Sequence, residues 1–251
     1  MKKILTCLLG MITAVNLMAQ ENRPLTAGMN KIKLEFKLDQ QGRPGYAIYF
    51  DGKPVIKNSL LGMELVRDSA FNQQLELTGT ATNSVDEQWQ PVWGELKTIR
   101  NRYEQLTVHL KQKNRPFYLM DLVFRVFEDG VGFKYEFPDQ QNLKYFVVSK
   151  ELTQFNLTGD HKAFWIPGDY DTNEYAYTTS RLTEIDAWAA EKKATDIAVR
   201  VVPDQYGVAT PLMLKTAEGL YINIHEAALI NYPAMQLHVD KHDFNLSASL
   251  V

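Results

Sequence analysis

Residues 164–175 read FWIPGDYDTNEY and place three carboxylates, Asp169, Asp171 and Glu174, among four aromatic residues behind a Pro-Gly turn. Three kinds of chemistry compete for such a stretch: a solvated surface loop, a metal site and a sugar site. Asp169, Asp171 and Asn173 match the D-x-D-x-N opening of an EF-hand loop, but Glu174 stands where its sixth position wants Gly, and Ser180 where its twelfth wants a bidentate Glu. The stretch is therefore not an EF-hand. Hard oxygen donors in a turn still suit calcium, which accepts six to eight oxygens in loose geometry. On these residues alone a solvated loop is the favoured reading, because charged side chains are mostly exposed. The flanking Phe164, Trp165, Tyr170, Tyr175 and Tyr177 argue against a loop made only for solvent. A glycosidase pair needs two carboxyl groups about 5 Å apart or more. Such pairs usually face each other from different elements, so the metal reading is preferred to that one.

Other residues carry weaker signals. WQPVWGE, residues 89–95, presents Trp89 and Trp93. Indoles stack on sugar faces, but packing in a core or an interface is the commoner fate of large aromatics. His161 precedes the acidic loop and is a candidate to support it from behind. His225 and Glu226 are neighbours. On a strand they point to opposite faces and cannot act as one acid–base pair. No H-x-x-x-H spacing, nucleophile elbow, Walker loop or dinucleotide glycine pattern is present.

The elements that must position these groups read as strands. In KIKLEFKL, residues 31–38, Ile32, Leu34, Phe36 and Leu38 alternate with charged residues, as in a half-buried strand. Further strands are predicted at 46–50, from Pro54, around Leu75 and Leu77, at 106–110, 121–127, 133–137, 144–148, 198–202, 211–215 and 220–224. Asp51-Gly52, residues 128–132 and Glu218-Gly219 supply turns. Only Ser180–Lys193 looks helical, with Leu182, Ile185 and Ala189 on one face and Ser180 as its cap. The predicted fold is all-β, a large antiparallel sandwich with at most one short helix. At 251 residues and 45% hydrophobic composition, one such domain can bury a substantial core. A net charge of −3 with no basic stripe excludes nucleic acid as a natural partner.

The N-terminus has the pattern of a signal peptide over residues 1–19: Lys2 and Lys3, an apolar stretch from Ile4 to Leu17, and a small-residue cleavage site before Gln20. The apolar run falls short of the roughly 20 residues that a membrane span needs. Export to a periplasm or the cell surface is the expectation. The only cysteine, Cys7, lies in this segment, so a mature chain over 20–251 has no disulfide and no thiolate chemistry. At the other end Phe244, Leu246, Ala248 and Leu250 alternate up to the last residue. Termini usually lie free at the surface, and the sequence is read as a fragment of a longer protein.

Five segments together carry a family resemblance: DEQWQPVWGE (86–95), IRNRYEQL (99–106), FRVFEDGVGFKYEFP (124–138), FWIPGDYDTNEY (164–175) and GLYINIHEAALINY (219–232). They resemble the N-terminal domain of glycoside hydrolase family 97, in its α-glucosidase branch. The resemblance implies a β-super-sandwich like that of galactose mutarotase, followed in complete members by a catalytic (β/α)8 barrel and a small β domain. It also implies an exported, calcium-dependent α-glycosidase whose catalytic carboxylates sit on the barrel, which is absent here. The glucosidase branch inverts at the anomeric carbon and another branch retains. By the same resemblance, Glu174 is the carboxylate that this domain lends to a calcium ion at the active site. Asp169, Asp171 and His161 then shape or support the loop, and Trp165, Tyr175, Trp89 and Trp93 are candidate contacts to sugar or barrel.

The expected function is thus the N-terminal part of an α-glucosidase acting on α-linked glucooligosaccharides from starch, inactive alone. Two alternatives remain. A non-catalytic carbohydrate-binding module would bind sugar through Trp89 or Trp93 without calcium. A mutarotase-like epimerase would need a His and a Glu facing one pocket.

Overall fold

The alternation at residues 31–38 becomes a strand whose apolar members turn inward: Ile32, Leu34 and Phe36 are buried, while Lys33 and Lys37 are exposed. The computed structural model describes residues 23–66 and 70–251. The signal-peptide reading over 1–19, Cys7 included, lies outside the described residues.

The chain opens with an antiparallel meander, β1 (Leu25–Met29), β2 (Ile32–Leu38), β3 (Pro44–Phe50) and β4 (Lys53–Leu60). Asp51 and Gly52 connect β3 to β4 with φ of 51° and 75°, the two positive values that a tight two-residue hairpin requires. The short β5 (Met63–Leu65) leads to a second meander, β6 (Leu75–Trp89), β7 (Ile99–Gln112), β8 (Leu119–Val126) and β9 (Val131–Glu136). β10 (Val148–Glu151) pairs with β5, and β11 (Gln154–Leu157) joins the first meander beside β4. β12 (Lys162–Trp165), β13 (Thr178–Arg181), β15 (Leu212–Lys215) and β16 (Tyr221–Ile224) form a four-stranded sheet. β14 (Gly207–Ala209), β17 (Met235–Asp240) and β18 (Asn245–Leu250) complete an eight-stranded sheet in the order β1-β2-β3-β4-β11-β18-β17-β14.

One core joins the three larger sheets. Leu34, Phe36 and Tyr46 of the first meander meet Leu106, Val108, Met120, Leu122 and Phe124 of the second, and Ala163, Trp165, Leu212 and Leu214 bring in the third. Phe36 and Phe124 lie 5.8 Å apart between ring centroids, and Tyr46 and Phe133 5.4 Å. Each fully buried Leu or Phe contributes about 1.5–3 kcal/mol. The all-β antiparallel sandwich predicted from the sequence is the fold observed. Among the described residues, no helix is long and apolar enough to cross a membrane.

Three local predictions are corrected. The helix spans only Ala187–Lys193 (α1), preceded by a 3-10 turn at Leu182–Glu184. Asp186 caps α1 by accepting from the Ala189 N–H at 2.9 Å. Ser180 instead lies in β13, opposite Ala163. Leu182, Ile185 and Ala187 are buried, whereas Ala189 faces solvent. Residues 198–202 form no strand: the Tyr170 N–H donates to the Val201 carbonyl at 3.0 Å, so this segment lines the acidic loop instead of joining a sheet. In the predicted strand at 144–148, pairing begins only at Val148.

Candidate functional site

The loop leaves the end of β12 through Ile166, Pro167 and Gly168. Pro167 bridges to Val208, and the Gly168 N–H donates to the Gly207 carbonyl at 3.0 Å. A Cβ on Gly168 would stand 2.7 Å from Oε1 of Gln236, so the close approach of these chains depends on the missing side chain.

Asp169 is only 5% exposed, and every one of its bonds points back into the fold. Its Oδ1 accepts from the N–H groups of Asp171 at 2.8 Å and Thr172 at 3.3 Å. Its Oδ2 accepts from the Tyr175 hydroxyl at 2.6 Å and the Val201 N–H at 3.0 Å. Gln236 Nε2 donates to its carbonyl oxygen at 2.8 Å. Burial works to raise the Asp169 pKa, but the bonds from Tyr175, Asp171, Val201 and Thr172 outweigh it, and the carboxyl lies below its ordinary range. Burial and the adjacent Asp169 push the Tyr175 hydroxyl well above its ordinary range, so it stays a donor. With four donors on its two oxygens, Asp169 holds the loop together rather than offering itself to a ligand.

Glu174 differs from Asp169 and Tyr175. Its N–H donates to Thr172 Oγ1 at 3.1 Å, while its side chain is exposed. Tyr175, the next residue, is 6% exposed and packs its ring with Ile166 and Ala209, flanked by Ala194, Ile197 and Val202. With Tyr175 directed inward, Glu174 is presented outward. Glu174 borders two depressions. One, of about 460 Å³, is shared with Asp171, Asn173 and Val199. The other, of about 340 Å³, lies between the loop and α1 and has Trp165, Tyr175 and Lys193 in its walls.

Among the described residues, no three His, Cys, Asp or Glu side chains gather so as to hold a metal ion by themselves. Asp171 and Glu174 nevertheless line one open depression with carboxylate oxygens, the donor type calcium takes. Their arrangement fits one or two ligands of a site completed from elsewhere.

The other predicted residues are dispersed. Trp165 is 2% exposed, and its indole N–H donates to Ser180 Oγ at 3.0 Å. The structure makes it and Tyr175 core-side residues, with at most an edge facing a depression. His161 lies at the far end of β12 from the loop, separated from it by the whole strand, on the order of 13 Å of extended chain. It is buried, its Nε2 is 3.1 Å from Thr158 Oγ1, and burial lowers its pKa. It makes no bond to the acidic loop.

Trp89 and Trp93 are neither core nor near-core residues. β6 and β7 stay paired out to Trp89 opposite Ile99, but β8 accompanies β7 only as far as Glu104. Beyond that point the hairpin projects as a two-stranded arm. Arg100 grips Asp86 through Nε at 2.8 Å and Nη2 at 2.6 Å, which stiffens it. At its tip Trp89 is 52%, Val92 99% and Trp93 87% exposed, with Leu96 also exposed. His225 reaches the Glu226 backbone carbonyl, not its carboxylate, which accepts from the Thr210 hydroxyl and the Met235 N–H. No His–Glu pair faces a pocket there.

Sequence reasoning missed Gln236 and Val201, which brace the loop. Arg200 belongs with them: its Nη1 donates to the carbonyls of Glu191 and Ala194, tying the end of α1 to the segment behind Tyr175. None of these carries a local motif: Val201 and Gln236 act on Asp169 from 32 and 67 residues away, and Arg200 acts on carbonyls of α1 and its end.

Comparison with known proteins matches the family model described as Glycosyl-hydrolase 97 N-terminal over residues 25–250. A retaining alpha-galactosidase of Bacteroides thetaiotaomicron is 24% identical over 260 aligned positions, covering 99% of this chain and 35% of that protein. Solved structures of a glycoside hydrolase family 97 enzyme from Pseudoalteromonas sp. strain K8, in complex with acarbose and, as a variant, with panose, superpose with a TM-score of 0.76. They are 31% identical and cover 90% of this chain and 32% of theirs. A beta-arabinopyranosidase structure shares the fold, with a TM-score of 0.73 at 18% identity over 87% of this chain and 34% of its own. The chain thus spans about a third of the length of the proteins it matches.

Proposed function

The chain belongs to the glycosyl hydrolase 97 N-terminal family, and from that premise we propose that it is the N-terminal domain of an exported, calcium-dependent α-glucosidase acting on α-linked glucooligosaccharides derived from starch. The observation that carries this reading is Glu174, an exposed carboxylate on a braced loop, bordering depressions that the chain does not close by itself. The likeness to an enzyme solved with acarbose and with panose, a trisaccharide of α-linked glucose, favours a glucosidase over a galactosidase.

In this reading Glu174 lends one carboxylate to a calcium ion shared with the catalytic barrel of the complete polypeptide. Asp171 lies beside it as a further oxygen donor, and Asp169 shapes the loop from behind. When bound, calcium supplies electrophilic stabilisation of charge that develops as the glycosidic bond breaks. One carboxylate binds the ion weakly, so affinity comes from assembly of the two parts. The acid and base that cleave the bond belong to the barrel, and this chain by itself hydrolyses nothing. The projecting arm with Trp89 and Trp93 is the apolar surface offered to the barrel, in place of the core-side Trp165 and Tyr175.

The test uses the full-length protein, stripped of calcium with a chelator and assayed on maltooligosaccharides and on α-galactosides while calcium is returned. Glucoside hydrolysis that depends on calcium, with Glu174→Gln needing about ten times more ion, is the expected result. Preference for α-galactosides, or an unchanged calcium requirement in Glu174→Gln, would overturn it. A second reading, a carbohydrate-binding module, rests on the exposure of Trp93 and Trp89. It requires sugar binding that survives chelation and disappears in Trp93→Ala.

A further inference from the structure

We infer that Tyr175, Asp169 and Thr172 form a positioning device that fixes the backbone from which the Glu174 carboxylate projects. The inference rests on the reading of Glu174 as a ligand but concerns different residues. The chain is attached on either side of Glu174. Behind it, its own N–H is held by Thr172 Oγ1, and the Thr172 N–H is held by Asp169 Oδ1. Ahead of it, the Tyr175 hydroxyl is held by Asp169 Oδ2. Both routes therefore converge on the two oxygens of one buried carboxylate.

That carboxylate is itself anchored to distant chain. Oδ2 accepts from the Val201 N–H, and Gln236 Nε2, from β17, donates to the Asp169 carbonyl. Gln236 is buried, so its amide has no water to exchange for this bond. The ring of Tyr175 adds packing on Ile166 and Ala209. A carboxylate on an unbraced loop would sample many positions, and holding the loop lowers the ordering entropy that ion binding must overcome. Here the confinement is applied to the backbone on both sides of Glu174, leaving its carboxylate free of partners that would compete with the ion. Asp169, Tyr175 and Thr172 are positioning residues and touch neither ion nor sugar.

The test compares Tyr175→Phe, which keeps the ring and removes only the hydroxyl, with Thr172→Val, which removes the hydroxyl behind Glu174 at a partly exposed position, in the full-length protein. Two quantities are read: the calcium concentration giving half-maximal hydrolysis, and hydrogen exchange of the Asp171–Glu174 amides. Each variant is expected to raise the calcium requirement about five- to thirty-fold, the effect of one or two lost hydrogen bonds. Raising calcium should restore the activity, and the four amides should exchange faster. A general loss of stability would instead speed exchange throughout the domain, including the core strands, and not in these four amides alone. If both variants leave calcium requirement and exchange unchanged while Glu174→Gln raises the requirement, the positioning inference fails and the ligand reading stands. If Glu174→Gln has no effect but the loop amides of the variants exchange faster, the brace is real and the ligand reading fails.

Discussion

Tyr175 donates its hydroxyl proton to Asp169 Oδ2 at 2.6 Å, and this bond closes a seven-residue loop on itself. The same carboxylate holds the N–H groups of Asp171, Thr172 and Val201. Asp169 is thus a fastener in the fold, while Asp171 and Glu174, two and five residues on, face outward.

Replacing Asp169 with Asn should destabilise the protein by about 1–3 kcal/mol at neutral pH, because an amide cannot accept all four of these donors. The effect has a defined pH dependence. The folded pKa lies below the ordinary 3.8, so the ionised carboxylate adds stability above that value, which is lost as pH falls through the folded pKa. Urea unfolding midpoints of wild type and Asp169→Asn should therefore converge as pH is lowered below about 3.8. A gap that stays constant at acid pH would refute the assignment.

His161 makes a second pH prediction at milder acidity. Burial lowers its pKa from 6.5, with Arg181 acting the same way and Glu218 and Asp160 acting against them. The unfolded chain then binds the proton more readily, so this contribution to stability is present above 6.5 and declines below it. His161→Gln should flatten the change in melting temperature between pH 7.5 and 5.5. An equally steep change in that variant would show that other groups carry it.

Glu151 should prove structural. It is buried, its Oε1 accepts from the Thr153 hydroxyl at 2.6 Å, and its Oε2 accepts from the Tyr232 hydroxyl at 2.8 Å. Tyr135 continues the chain of bonds, 2.7 Å from Thr153 Oγ1, while accepting from the Gly62 N–H at 2.9 Å. Glu151→Ala strands these hydroxyls and should cost about 1–3 kcal/mol. Denaturant titration measures it, and a loss under about 0.5 kcal/mol, the range of ordinary surface changes, would mean that water replaces the carboxylate.

Trp93→Ala should do the opposite. Its side chain is 87% exposed on the arm, so folding should change by no more than about 0.5 kcal/mol. In the full-length protein the same change should increase protease cleavage between the N-terminal part and the remainder, because an apolar tip of this kind marks a contact surface. Unaltered proteolysis would remove the arm from the proposed interface.

Much of the architecture was legible from residue pattern alone. Period-two alternation locates β2, the Asp51-Gly52 pair locates the β3–β4 hairpin, and the density of such signals implies an antiparallel sandwich, because these are properties of short stretches of chain. The long FWIPGDYDTNEY segment likewise marks its own loop as the candidate site. What local pattern could not decide is the division of labour among its acids. Asp169 and Glu174 are both carboxylates in one loop, and only the approach of Val201 and Gln236, 32 and 67 residues beyond Asp169, makes the first internal and leaves the second exposed. The same approach takes residues 198–202, which read as a strand, out of any sheet, since the Val201 N–H and carbonyl are spent on the loop. Trp165 and Trp93 are chemically alike, yet one packs against Ser180 inside the fold and the other crowns an arm that outruns its neighbouring strand. Strand periodicity follows from the alternation of side chains along a backbone. The fate of a particular acid or indole depends on which distant backbone arrives beside it, and only the assembled tertiary structure determines that.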